Sequence, residues 1–171
     1  LSSTSAKPQR YDAGMDTFTI VHVVLSLIGI LSGLVVLCGL LTANRMNGWT
    51  MLFLATTVAT SVTGFGFPFH GVTPAIILGI LSLIALTAAI AARYIFHLAG
   101  SWRWIYVVGS VVALYFNVFV LVVQAFLKIP ALHAPAPKGS EPPFAIAQGI
   151  VLVLFILAGI LSVKRFHPVT N

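Results

Sequence analysis

Apolar residues run along this chain in long uninterrupted stretches, and the few polar breaks mark where it turns. Thr17–Leu41 holds 25 residues without a charged side chain, more than the roughly 20 that carry a helix across a hydrocarbon core. Asn44, Arg45, Asn47 and Gly48 follow as a short polar turn. Residues 46–92 contain no Asp, Glu, Lys or Arg, which leaves room for two crossings. The break within them falls at GFGFPFHGVTP (64–74), where Gly and Pro punctuate the run. Gly100 and Ser101 make the next break. The Pro-rich segment 128–143, with Lys128 and Lys138, reads as an exposed loop. The pattern predicts helices over 17–41, 49–65, 73–96, 102–127 and 144–163. Strands are excluded, because an open sheet edge leaves backbone groups unsatisfied in lipid.

The expected fold class is therefore all-α, a polytopic membrane helical bundle of about five transmembrane helices. It divides into a polar segment over 1–16, one transmembrane domain over 17–163 and a basic tail over 164–171. Composition agrees: 59% of residues are hydrophobic and 7% charged, against about 25% charged in a soluble domain. The first apolar run is too long for the h-region of a signal peptide and reads as a retained helix.

Charge adds orientation. The formal net charge is +6, and the cations stand singly or in pairs at the ends of apolar runs. No basic stripe with interleaved aromatic residues is present, so nucleic acid is not an expected partner. With the N-terminus outside, Arg45, Arg93, Arg103, Lys164 and Arg165 fall on the inner side, as the positive-inside rule favours. Trp49, Trp102 and Trp104 fall at the same boundary, where indole rings prefer to lie. The expected topology is N-out, C-in. Cys38 is the single cysteine and reads as a small buried hydrophobe.

Polar residues inside the spans carry the candidate chemistry. His22, Ser26, Gly29 and Gly33 recur at helical spacing and share one face. Gly29 and Gly33 also form a GxxxG, and Ala85 and Ala89 lie on a small-residue ridge. Both suit close helix approach, within the chain or between copies in a homo-oligomer. Thr56, Thr60 and Thr63 line a second face, and Ser110, Asn117 and Gln124 recur every seven residues. An amide in the membrane is costly unless hydrogen-bonded, so Asn117 and Gln124 are expected to face protein. Antiparallel threading brings His22, Thr60, Thr63, Gln124 and Gln148 to the outer third of the bilayer. His70, His133 and Glu141 lie above them. These residues, with Asn117, form the candidate ligand site, and intramembrane polar groups are functional hypotheses by default. The competing reading is a hydrogen-bonded network that only locks the bundle.

Specific chemistries narrow it. Haem b in a helical bundle takes facing His ligands; His22 and His70 are the available pair, but neither lies deep beside a partner. No HExxH, P-loop or GxSxG motif occurs, no catalytic residue is expected, and no metal site is expected. The lack of a carboxylate within a span speaks against a proton antiporter. A quinone or lipid fits better, its polar head near the amides and His22 and its tail among Phe116, Phe119 and Phe126.

FHLAGSWRWIYVV (96–108), ALYFNVFVLVVQAF (113–126) and SEPPF (140–144) resemble a group of small proteobacterial multi-pass membrane proteins. The likeness covers most of 17–168. It implies a bacterial inner membrane and carries over no catalytic residue. The layout is more loosely similar to b561-like helical proteins, whose paired intramembrane His pattern this chain does not have. The expected function is a non-enzymatic structural or accessory subunit. It binds an amphipathic ligand, surrounding membrane lipid or a partner subunit of a larger membrane complex at the outer polar cluster. A membrane redox protein holding haem b or quinone, and a small transporter or channel, are the alternatives.

Overall fold

The computed structural model describes residues 12–67 and 74–167, with side chains from Thr17 onward. The described residues are helical, with short turns and no strand. The helices are α1 (Asp12–Leu41), α2 (Asn47–Gly64), α3 (Pro74–Ile90), α4 (Trp102–Lys128), α5 (Pro130–His133) and α6 (Pro142–Arg165). A π-helical turn over Ala91–Ile95 continues α3. Among the described residues four helices are long and apolar enough to cross a membrane: Thr17–Leu41, Pro74–Ile95, Trp102–Lys128 and Pro142–Arg165. Large side chains such as Leu31, Met51, Ile84 and Leu154 lie on the surface at 59–68% exposure. Water would not tolerate apolar surface of that extent, and lipid does. The chain is a helical membrane protein.

The helix expected over 49–65 exists as α2, but it does not reach the apolarity of the other four. Its five threonines and Ser61 lower its mean hydropathy. They do not make it a surface helix, because Thr50, Thr56, Thr57, Thr60 and Ser61 are all buried. The Thr56 hydroxyl donates to Leu52 O at 2.7 Å and that of Thr63 to Ala59 O at 2.7 Å, so each hydroxyl is satisfied within its own helix.

Small residues set how the helices meet. A turn closed by Asn44 N donating to Gly39 O at 2.8 Å folds α2 back along α1. Gly39 then faces Met46, Gly33 faces Phe53, Gly29 faces Thr56 and Thr57, and Gly64 faces His22. The contact follows α1 from Gly39 back to His22. A methyl group at Gly33 would lie 2.5 Å from Leu114 Cδ1 and 2.9 Å from the Phe53 ring, both immobilised in the core. The GxxxG is thus filled by this chain's own α2 and α4. Gly109 of α4 meets Ala85 and Ala89 of α3 in the same way.

Helix α4 is the hub, packing on α1, α2, α3 and α6. The tightest core lies where α1 and α3 end and α2 and α4 begin, around Leu40, Phe53, Leu86, Tyr106, Val107 and Leu114. This is the basic end of the bundle, holding Arg45, Arg93, Arg103, Lys164 and Arg165. Helix α6 lies outermost, with Gln148 and Ser162 its only buried residues among those described. Two details differ from the expected spans. The last helix runs past 163: α6 ends at Arg165, and Phe166 is fully buried with its ring 5.7 Å from that of Tyr106. The loop over 128–143 is not wholly exposed. It contains α5, buries Ala136 to 2% exposure and is closed by Phe126 against Phe144 at 5.4 Å.

Candidate functional site

The polar residues of the candidate site divide into separate contacts. At the opposite end from the basic cluster, His22 Nδ1 lies 2.9 Å from Thr63 Oγ1. The imidazole packs edge-on against Phe67, ring centroids 5.0 Å apart. Thr60 is buried one turn further in, and its Oγ1 makes no hydrogen bond to the described residues. Deeper still, Asn117 Nδ2 donates to Thr57 Oγ1 at 3.3 Å. Gly29 leaves room for both groups: a methyl there would meet Thr57 Oγ1 at 3.2 Å and Asn117 Nδ2 at 3.5 Å. Gln148 donates through Nε2 to Phe119 O at 3.1 Å, which joins α6 to α4; its Oε1 is buried and unpartnered.

Gln124 does not join them. It is exposed, against the expectation that it faces protein. A strict seven-residue repeat drifts by about 20° per heptad on a straight helix, so the stripe that holds Ser110 inside turns out of the bundle two heptads later. His70 lies outside the described residues. His133 is occupied elsewhere, with Nδ1 3.2 Å from Phe126 O, and no group of three His, Cys, Asp or Glu able to hold a metal occurs among the described residues. Cys38 is exposed rather than buried.

Glu141 closes the loop instead of facing the spans. Its carboxylate accepts from the backbone N–H of Lys138 and of Ser140, each at 3.0 Å. Desolvation raises its pKa, but the amides of Lys138, Ser140, Glu141 itself and Gly139 together outweigh it and hold the carboxyl below its ordinary value.

An apolar opening lies elsewhere, in a groove of about 420 Å³ between α4 and α6. Val111, Tyr115, Leu152, Phe155 and Gly159 form its walls, and Lys164 stands at its basic end. Gly159 deepens the groove, since a methyl there would only touch Val111 Cγ1 at 3.5 Å. Tyr115 and Phe155 meet with ring centroids 5.7 Å apart. The expected tail site among Phe116, Phe119 and Phe126 is differently used: Phe126 is buried against Phe144. Sequence reasoning passed over the groove because its residues look like any lipid-facing pair of helices. The one local signal was Gly159 on the α6 face that also carries Leu152 and Phe155. No protein-family model, curated protein or solved structure matches this chain.

Proposed function

We propose that this chain is a non-enzymatic integral membrane protein, a structural or accessory subunit that holds an amphipathic molecule in the groove between α4 and α6. The observation that carries the reading is the groove itself: an opening of about 420 Å³ with aliphatic and aromatic walls and a single cation, Lys164, at one end. Ligand sites are mostly apolar with a few convergent polar groups. A lipid acyl chain under an anionic head, or the tail of a quinone, matches that division. The outer polar residues then serve as locks between helices, since His22, Asn117 and Gln148 each engage a neighbouring helix.

Five crossings with N-out, C-in topology complete the proposal. The α1–α2 pairing supports the fifth, because α2 follows α1 from Gly39 to His22. Its 18 residues extend about 27 Å, close to the hydrocarbon thickness. The cations gathered at one end support the orientation.

The test is what stays bound after purification in a mild uncharged detergent. Extraction and mass spectrometry should find a lipid or quinone retained by the wild type. Gly159→Leu, which fills the groove, should lower that retention severalfold at unchanged helix content. Equal retention by the variant removes the groove from the proposal, and a Soret band in the purified protein replaces it with the haem reading.

A further inference from the structure

Among the described residues the basic end of the bundle has no acidic side chain: of the chain's three acidic residues, Asp12 and Asp16 belong to the first turns of α1 and Glu141 precedes α6. Its cations must find other partners, and Arg93 is the one among them that is buried. It sits in the π-helical turn and is 9% exposed. Such turns insert one extra residue into a helix and are frequent at functional sites. Its Nη2 donates to Asn47 Oδ1 at 2.6 Å and to Arg45 O at 3.1 Å. The faces of Tyr106 and Tyr94 lie 5.1 and 5.8 Å from the guanidinium carbon. They stabilise its charge but supply no oxygen. Nη1 of Arg93 and Nε of Arg45 are both buried without a hydrogen-bond partner among the described residues, an expensive arrangement for charged donors.

A second set of donors opens at the same place. Helix α2 starts at Asn47 after Met46 in the left-handed region (φ 42°), with no side-chain cap and no acidic residue in its first turn. Its first N–H groups and the positive end of its dipole are therefore free for an outside anion. Nothing lies within 4 Å of where a Gly48 side chain would begin. Between this helix start and the π-turn is a cavity of about 440 Å³, lined by Arg45, Asn47, Gly48, Arg93, Tyr94 and His97.

We propose that this cavity binds a phosphate group, held by the guanidinium groups of Arg93 and Arg45 and the first-turn amides of α2, with His97 at the rim. Two guanidinium forks and a helix start offer more donors than the two oxygens of a carboxylate can use, and a phosphate has the oxygens and charge to match. Exposed Tyr94 lines the cavity and exposed Trp49 follows Gly48 in α2, and such rings settle at headgroup level. A lipid headgroup and free phosphate supply the same chemistry there. The cavity shares no residue with the α4–α6 groove, so the two sites fail or stand separately.

The experiment is thermal unfolding of the full chain in an uncharged detergent with three probes: phosphatidylglycerol, diacylglycerol and inorganic phosphate. Phosphatidylglycerol should raise the unfolding temperature saturably and diacylglycerol should not. Arg45→Gln should weaken the apparent affinity about tenfold, the loss of a charge-assisted hydrogen bond. Gly48→Glu, which places a carboxylate on the first turn of α2, should weaken it as well. A saturable response to inorganic phosphate that both variants weaken supports the same site with a free anion as its source. The proposal is overturned by no response to either phosphate probe, by equal responses in wild type and both variants, or by a diacylglycerol response matching that of phosphatidylglycerol.

Discussion

Gly109 marks the closest approach of α3 and α4: a methyl there would stand 2.7 Å from Ala85 O and 3.1 Å from Ala89 Cβ. A carbonyl on a packed helix cannot move aside as a side-chain tip can, so Gly109→Ala must separate the helices. The expected loss is about 1–3 kcal/mol, the usual range for overpacking. Gly48→Ala meets nothing within 4 Å and should be neutral or gain about 0.5–1 kcal/mol from helix propensity. Reversible unfolding in mixed micelles compares them, and equal effects would contradict the packing argument. Glu141 makes a pH-dependent prediction. Its folded pKa is held below the ordinary 4.5, so its cap on the loop is present above that value and is lost as pH falls through the lower folded one. The amide resonances of Lys138 and Ser140 should move in that acid window alone, and Glu141→Gln should abolish the movement.

At the scale of elements, α2 departs most from what hydropathy conveys. Its threonines read as polar, yet the hydroxyls of Thr56 and Thr63 bond to carbonyls one turn back and that of Thr57 accepts from Asn117. Hydropathy scores the hydroxyl as though it were unpaired. If α2 crosses, the α1–α2 turn and the α3–α4 turn share one side of the membrane and the α4–α6 loop lies on the other. In a Cys38→Ala background, Asn44→Cys and Gly100→Cys should label with an impermeant maleimide from the same side, and Ser140→Cys from the opposite one. Labelling of positions 44 and 100 from opposite sides would mean that α2 does not cross.

The whole molecule is unevenly held. The core is dense at the basic end, while α6 touches the bundle through one narrow face and is tied by a few polar bonds. Arg103 is the strongest of these ties, donating through Nη1 to Phe166 O at 2.6 Å and to Val163 O at 3.1 Å. Those bonds cap the end of α6 and seat Phe166 in the core. Arg103→Gln should cost about 1.5 kcal/mol, the low end for a hydrogen bond to a charged group because Arg103 is half-buried. Hydrogen exchange should rise in the last turns of α6 and leave α1 and α2 unchanged. A uniform rise across all helices would show that Arg103 supports the bundle globally.

The sequence by itself determined the apolar spans, the turns between them and the small residues at which helices approach. Each of these follows from local chemistry: run length against bilayer thickness, Gly and Pro as breakers, and the small or absent side chains at Gly29, Gly33, Ala85 and Ala89. Only the tertiary structure decided which polar groups meet. Asn117 faces Thr57 while Gln124, on the same heptad stripe, turns outward, because helical drift accumulates and neighbours do not extend to every height. Arg93 looks like an ordinary positive charge at a helix end. Asn47 and Tyr106, which bury it, come from elements distant in sequence, and no local pattern places them around it. The groove between α4 and α6 depends in the same way on which faces two separate helices turn toward each other.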